Sequence, residues 1–493
     1  MQADGEARNF DLNIEKILEG WQVSHAIREI IANALDEQAL TGTEDVSIRQ
    51  DPQGDWRIRD WGRGLTHKHL TENENSEKLE NPEKVVGKFG VGLKDALATL
   101  DRRGVVVRIR SKYGDFSLKA APKHGFEDVV TLNVSVFEPA DPRFVGTEFV
   151  LGRVPSADIE AAKNFFLRYS GEATLEETRY GQILRRKVDR KARVYVTGLL
   201  VAEEENFLFS YNVTSLTTAM KRALNRERTN VGRTAYTERV KAMLLASNAE
   251  DVAQALAEDL GKMQWGTHHD EVNWTDVAVH AGQVLSASAK VIFAAPHELS
   301  PGAEGDVSLA EVESNRDSLD HAAAEGYRVI TVPESVKHHL QGVTDLKGEP
   351  IRDIGTYRKE WSDSFEFAFV EENRLTPSER QVFGLRGELA KLVGGLPAGV
   401  REIKVSETMR PDVAAVNASG LWEPEIGRIV IRRSQLRSLE AFAGTLLHEL
   451  THAQTGHTDL SRGFEDGLTE ALGRVSAGAL SAPKEKPRHW WRR

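Results

Sequence analysis

Two stretches of this 493-residue sequence carry side chains whose types and spacing could do chemistry. Near the C-terminus runs His448-Glu449-Leu450-Thr451-His452, an H-E-x-x-H motif. Two histidines four residues apart project from one face of a helix and can share a zinc ion. The glutamate between them can take a proton from water and pass it to a leaving amine. Near the N-terminus, Glu29, Asn33 and Asp36 stand at i, i+4 and i+7, in one narrow arc of a helix. A carboxylate and an amide there can hold a water and a magnesium ion, which prefers oxygen ligands and phosphate. In Asp60-Trp61-Gly62-Arg63-Gly64 an acid at a strand end precedes two glycines. Backbone can then approach a flat ligand while the carboxylate accepts from an amino group. Gly87-Lys88-Phe89-Gly90-Val91-Gly92-Leu93-Lys94 leads into a helix, whose first N–H groups and dipole favour phosphate. This is neither a P-loop, which ends in G-K-[ST], nor a Rossmann loop after a first strand.

The elements that must position these residues are visible as patterns. Ala26, Ile27, Ile30, Ile31, Ala34 and Leu35 form the stripe of an amphipathic helix over Ser24–Leu40, with Glu29, Asn33 and Asp36 opposite it. Strand patterns follow at Val46–Arg49, Trp56–Asp60, Val105–Arg110, Val129–Val136 and Thr147–Leu151. The order predicts an α+β layer domain over 1–155 with a largely antiparallel sheet. A second α+β unit is expected over 156–265, with strands at Ala192–Leu200 and Phe207–Tyr211. A small α/β unit over 266–370 contains the apolar strands Lys290–Ala295 and Tyr327–Val332. A last α+β domain over 371–480 holds the strands Glu402–Ser406 and Gly427–Arg432 and two helices, and a basic tail occupies 481–493. The fold class expected is therefore multidomain α+β.

Taken in order, Glu29-x-x-x-Asn33-x-x-Asp36, Asp60-x-Gly62-x-Gly64, Gly87-x-x-Gly90-x-Gly92 and Gly146-Thr147 resemble the gyrase/chaperone/histidine-kinase/MutL (GHKL) ATPase superfamily. The phrase GKFGVGLKDAL looks especially like its ninety-kilodalton heat-shock chaperone and MORC branches. The resemblance implies an α/β sandwich that binds ATP and magnesium. By it, Glu29 would be the general base, Asn33 the magnesium ligand and Asp60 the reader of the adenine amino group, supported by Thr147. Gly90, Gly92 and Lys94 would sit at the phosphates, and the polar stretch Thr66–Val86 would be a lid. Residues 190–235 look similar to the transducer domain of the gyrase and MutL branches, which implies an ATP-dependent homodimer. Lys221, Arg226 and Arg228 are the basic residues there that could meet the γ-phosphate.

The H-E-x-x-H motif needs a third ligand, and the sequence offers His457, Asp459, Glu465 and Glu470. The next helix, about Ser461–Val475, puts Glu465 on the face of Leu468 and Leu472, and Glu470 on that of Asp466 and Arg474. A carboxylate aligned with an apolar stripe needs a partner, so Glu465 is the ligand expected. The arrangement resembles the small gluzincin-type metallopeptidases, in which a glutamate on the next helix completes the site. Their upstream β-hairpin would correspond to Glu402–Ser406 and Gly427–Arg432, whose edge could hold an extended peptide.

The sequence contains no cysteine, which excludes disulfides and thiolate zinc sites and leaves histidine and carboxylates as metal ligands. No apolar run reaches membrane-helix length, and the acidic, polar start is no secretory signal, so a cytoplasmic enzyme is expected. A formal charge of −11 gives no overall footprint for nucleic acid, although a local basic patch is possible. The function expected is an ATP-regulated zinc metalloprotease acting on a protein or peptide, in quality control or a defence system. The alternative is a chaperone-like or MutL/MORC-like, nucleic-acid-associated ATPase whose zinc domain is not catalytic.

Overall fold

The computed structural model describes residues 8–12, 20–71, 77–78, 85, 91–123, 126–224, 231–300, 309–409, 418–459 and 461–481. Ala26, Ile27, Ile30, Ile31 and Ala34 recur at helical spacing, and the helix they form, α1 (Val23–Thr41), buries all five. It ends where Gly42 takes the left-handed conformation and donates its N–H to the Gln38 carbonyl at 2.8 Å. Beside it lie α2 (Val91–Arg102) and α3 (Ser156–Lys163), and the three cover one face of a seven-stranded sheet. That sheet holds β1 (Arg8–Asp11), β2 (Ser47–Gln50), β3 (Trp56–Arg59), β4 (Val106–Ser111), β5 (Gly114–Lys123), β6 (Phe126–Phe137) and β7 (Thr147–Gly152). The order is β1-β6-β5-β4-β7-β3-β2, antiparallel throughout. Ile58, Val107, Ile109, Phe149 and Leu151 point from the sheet into the core with the helices. Alternation therefore turns Arg57, Arg59, Arg108 and Arg110 to the opposite face.

A five-stranded sheet follows, with β8 (Thr174–Thr178), β9 (Gly181–Leu184), β10 (Ala192–Val196), β11 (Leu199–Glu204) and β12 (Ser210–Val213) in the order β11-β10-β12-β9-β8. The single strand expected over Ala192–Leu200 is in fact a hairpin. Thr197 (φ 50°) and Gly198 (φ 83°) make a two-residue turn between β10 and β11, because two positive φ values match the strand twist. The apolar residues on both sides hid this turn from pattern reading.

Backbone contacts divide the chain into two compact units, Met1–Val284 and Leu285–Arg493. In the second unit, β13 (Val291–Ala294) and β14 (Arg328–Thr331) pair in parallel, with the helix Leu309–Ala324 between them in sequence. Next comes a sheet of β15 (Phe369–Val370), β16 (Glu402–Ser406), β17 (Gly420–Glu423) and β18 (Arg428–Arg432), in the order β15-β16-β18-β17. Glu402–Ser406 and Gly427–Arg432 were expected to form a hairpin. They pair in parallel instead, and the hairpin partner of β18 is β17, closed by Gly427 at φ 76°. Two helices complete this part, α4 (Leu439–Thr455) and α5 (Arg462–Ser481). The chain as described is thus mixed α+β with several sheets. Among the described residues, no helix is long and apolar enough to cross a membrane.

Candidate functional site

The arc of α1 that carries Glu29, Asn33 and Asp36 is not a solvated face: Glu29 and Asp36 are buried, at 2% and 1% exposure. The Glu29 carboxylate accepts from Arg28 Nε at 3.0 Å and from its terminal nitrogen at 2.7 Å, both on Oε1. Arg28 is itself buried, its guanidinium 5.3 Å from the ring centres of Trp21 and Phe165. Gly92, at the start of α2, packs against the same carboxylate. A Cβ there would stand 2.3 Å from Glu29 Oε2, so glycine is what lets α2 approach. Asn33 donates to the Glu29 carbonyl at 2.8 Å. Lys78 donates to Asn33 Oδ1 at 2.8 Å and to Asp36 Oδ2 at 2.7 Å, so an ammonium already sits against the amide expected to ligate magnesium.

Asp60 ends β3 and is buried, and its Oδ1 accepts the N–H groups of Gly62 (2.9 Å) and Thr147 (3.1 Å). Burial pushes the carboxyl up to about 6, against the pull of those hydrogen bonds. Gly146 (φ 82°) lies beneath it, where a Cβ would sit 1.9 Å from the Asp60 carbonyl oxygen. Gly62 abuts Glu37, whose carboxylate holds Arg63 and so ties this loop to α1. Gly64 (φ 91°) lies against Ser111. Lys94 is buried in the first turn of α2, and burial draws its ammonium below the usual range. Gly87 and Gly90, most of the expected lid, and Arg226 and Arg228 lie outside the described residues.

At the other end of the chain, Ser438 caps α4 by accepting from Ala441 N at 3.1 Å. Phe442, Leu446 and Leu450 bury one side of the helix in the core, which turns His448 and His452 to the other side. The two Nε2 atoms are 3.2 Å apart. Asp459 Oδ1 lies 3.2 Å from each. Three ligand atoms in this triangle could hold a metal ion. At zinc–nitrogen distances of about 2.0–2.1 Å, tetrahedral neighbours stand about 3.3 Å apart, so the triangle has the size of one face of a zinc site. His452 Nδ1 faces the His457 carbonyl at 2.7 Å. A carbonyl can only accept, so the proton is on Nδ1 and the Nε2 lone pair points into the triangle. Phe464 stacks on His452 at 4.1 Å and meets His448 edge-on at 4.8 Å, which fixes both rings. Burial lowers the His448 pKa, favouring the neutral, ligating form.

The structure does not bring the expected third ligand to the two histidines. Glu465 is exposed and is not part of the cluster, and Leu472, whose face it was thought to share, is 68% exposed. The turn after Gly456 (φ 69°) ends α4 and brings Asp459 back over the histidines before α5 begins. In the sequence Asp459, like His457, misses by one residue the third-ligand position of an H-E-x-x-H-x-x-G-x-x-H pattern, which is why the spacing did not single it out.

Glu449 is 6% exposed and stands at β17. A Cβ at Gly420 would lie 2.8 Å from Glu449 Oε1, and the backbone N–H of Trp422 bonds to the carboxylate. Burial first, and the Asp459 charge second, push Glu449 up to about 8. Since β17 ends the order of its sheet, Glu449 stands on an edge that carries no further strand among the described residues. Of the side chains that shape the two sites, Arg28, Lys78 and Gly420 carried no motif signal in the sequence.

A domain family described as the Mycoplasma pneumoniae MPN635 N-terminal domain matches residues 157–250. The chain is 35% identical over 245 residues to an uncharacterized protein of Mycoplasma pneumoniae (strain ATCC 29342 / M129 / Subtype 1), covering 49% of this chain and 98% of that protein. A second uncharacterized protein of the same organism is 23% identical over 331 residues, 64% of this chain and 90% of its own. A third is 27% identical over 155 residues, 31% of this chain and 81% of its own.

Proposed function

The chain belongs to the family of the Mycoplasma pneumoniae protein of which it covers 98%, and we propose that it is an ATP-regulated zinc metalloprotease. One observation carries the peptidase half. His448, His452 and Asp459 converge in a triangle of 3.2 Å sides, with the buried carboxylate of Glu449 beside them. The three would hold zinc, with a fourth position left open. Bound there, zinc would supply a Lewis acid that polarises a carbonyl and lowers the pKa of a water. In its ionised form, which a zinc charge beside it would favour against the burial, Glu449 takes the proton of the attacking water as that water's oxygen bonds to the peptide carbon. It then delivers that proton to the amide nitrogen as the C–N bond breaks. An extended peptide laid along the free edge of β17 would run past Glu449, held by main-chain hydrogen bonds.

The N-terminal half of the reading is a GHKL-type ATPase with a transducer-like unit behind it, acting as an ATP-dependent homodimer in the cytoplasm. A seven-stranded antiparallel sheet under α1 and α2 supports it, as does the burial of Glu29, Asp36 and Asp60 around the expected nucleotide. Asp60 would accept from the adenine amino group, and Gly92 and Lys94 would lie at the phosphates. Asn33 would meet magnesium when Lys78 leaves it. Glu29, oriented by Arg28, would take the proton of the attacking water. The test is incubation of the protein with candidate substrates, with and without ATP and a chelator, read by mass spectrometry. Cleavage that needs both zinc and ATP is expected, and cleavage indifferent to the chelator would defeat the proposal.

A further inference from the structure

Beside the turn that ends α1 lies a cavity of about 780 Å³, lined by residues 42–44 of that turn and by Arg59, Trp61, Arg110, Arg143 and Phe144 among others. Its volume is in the range of small-molecule sites. It is separate from the carboxylates of the proposed nucleotide site. Arg59 and Trp61 line it, whereas the Asp60 carboxylate between them is bonded to Gly62 and Thr147.

The arrangement of the arginines is that of an anion site. The Arg59 guanidinium is clamped between aromatic rings, 3.8 Å from the centre of Trp61 and 4.2 Å from that of Phe144. One terminal nitrogen donates to the Val145 carbonyl at 2.9 Å, but Nε is buried with no hydrogen-bond partner. A buried donor without an acceptor costs free energy unless something absent from the chain supplies one. Arg110 lies 5.1 Å from the Phe144 ring, and the nearest acid to it is Glu148 at 3.6 Å, a buried carboxylate already bonded to Arg57 at 2.9 Å. The exposed side chain of Arg143 has no ion pair among the described residues. Of the two acids on the rim, Asp141 accepts the Arg143 backbone N–H at 3.0 Å, and Glu44 is exposed. Burial, with Arg49 and Arg110 nearby, draws the Arg59 pKa below its usual range, as expected for crowded positive charge.

We propose that this cavity binds a phosphate-bearing small molecule through Arg59, Arg110 and Arg143. Planar guanidinium forks match phosphate oxygens in pairs, and aromatic walls hold them flat for that contact. The phosphate could be free polyphosphate or be carried on a nucleoside, so two probes are needed. In calorimetry on the full chain without magnesium, at low salt, pyrophosphate and uridine diphosphate are titrated in turn. Saturable binding is expected, weakened at least about tenfold in the double variant Arg110→Ala/Arg143→Ala, since charge-assisted contacts to phosphate are among the stronger hydrogen bonds. These side chains are on the surface, so the variant should fold, which circular dichroism verifies. Arg179→Ala, which removes an exposed arginine outside this cavity, should bind both probes as before. Tighter binding of uridine diphosphate would identify a nucleotide as the source, and equal binding would identify free polyphosphate. Binding that survives in the double variant, binding lost in Arg179→Ala, or no saturable binding would overturn the proposal.

Discussion

Gly420 touches Glu449: a Cβ at residue 420 would lie 2.8 Å from both Cγ and Oε1 of that glutamate. The closeness of β17 to the acid therefore depends on a missing side chain. Gly420→Ala should push Glu449 away from the cluster of His448, His452 and Asp459 while leaving those three in place. Small misplacements of a reacting group cost up to about a hundredfold. Zinc content should thus be unchanged and the cleavage rate should drop at least about tenfold. Equal rates in the two proteins would remove Glu449 from the proposed chemistry.

Metal content separates the two third ligands. Asp459→Ala should lose zinc, and Glu465→Ala should keep one zinc per chain, because the Glu465 carboxylate is not in the cluster. Glu449→Gln should also keep the metal and abolish cleavage, since the amide cannot take a proton. Metal analysis of the purified variants decides this, and full zinc in Asp459→Ala would return the choice to Glu465.

At the other end of the chain, Glu29 is ion-paired with Arg28 inside the protein. Truncating Glu29 would leave the buried Arg28 with neither its charge partner nor an acceptor, whereas glutamine keeps the shape and an oxygen that can accept from it, so the conservative change is the informative one. Glu29→Gln should bind ATP, lower turnover about a hundredfold or more, and accumulate the ATP-bound dimer in light scattering. Wild-type turnover in this variant would refute the assignment of the base.

Asp60 sets a pH dependence. Its folded-state pKa of about 6 lies above the ordinary 3.8, so the native state takes up a proton as the pH falls between those values. Stability from this group therefore increases as the pH drops through 6, while the carboxylate proposed to accept from adenine is lost. ATP affinity should fall from pH 7 to pH 5 without loss of fold, and in Asp60→Asn it should be low and flat. Titration by fluorescence at each pH, alongside thermal melts, tests both trends. A wild-type affinity independent of pH would count against Asp60 as the adenine contact.

Local order was legible because its causes are local. Repeats of three and four residues marked α1, and alternation of two marked β3, β4 and β7, whose observed ends fall within about two residues of the patterns. The pairing of strands was not. Parallel pairing of β16 with β18, and the hairpin of β17 with β18, depend on which strands meet over the α4 core. The expected lid and phosphate loop fall on residues 66–92, of which only part is described.

By itself the sequence determined which side chains share a helix face. With 3.6 residues per turn, His448 and His452 must point the same way, as must Glu29, Asn33 and Asp36. Only the tertiary structure decided what stands opposite those faces. Asp459 reaches the histidines because the chain reverses at Gly456. Lys78 reaches Asn33 and Asp36 from more than forty positions away, and Gly420 meets Glu449 across a sheet edge. Such contacts follow from packing a whole core, where chain reversal and excluded volume select partners that no spacing along the chain encodes.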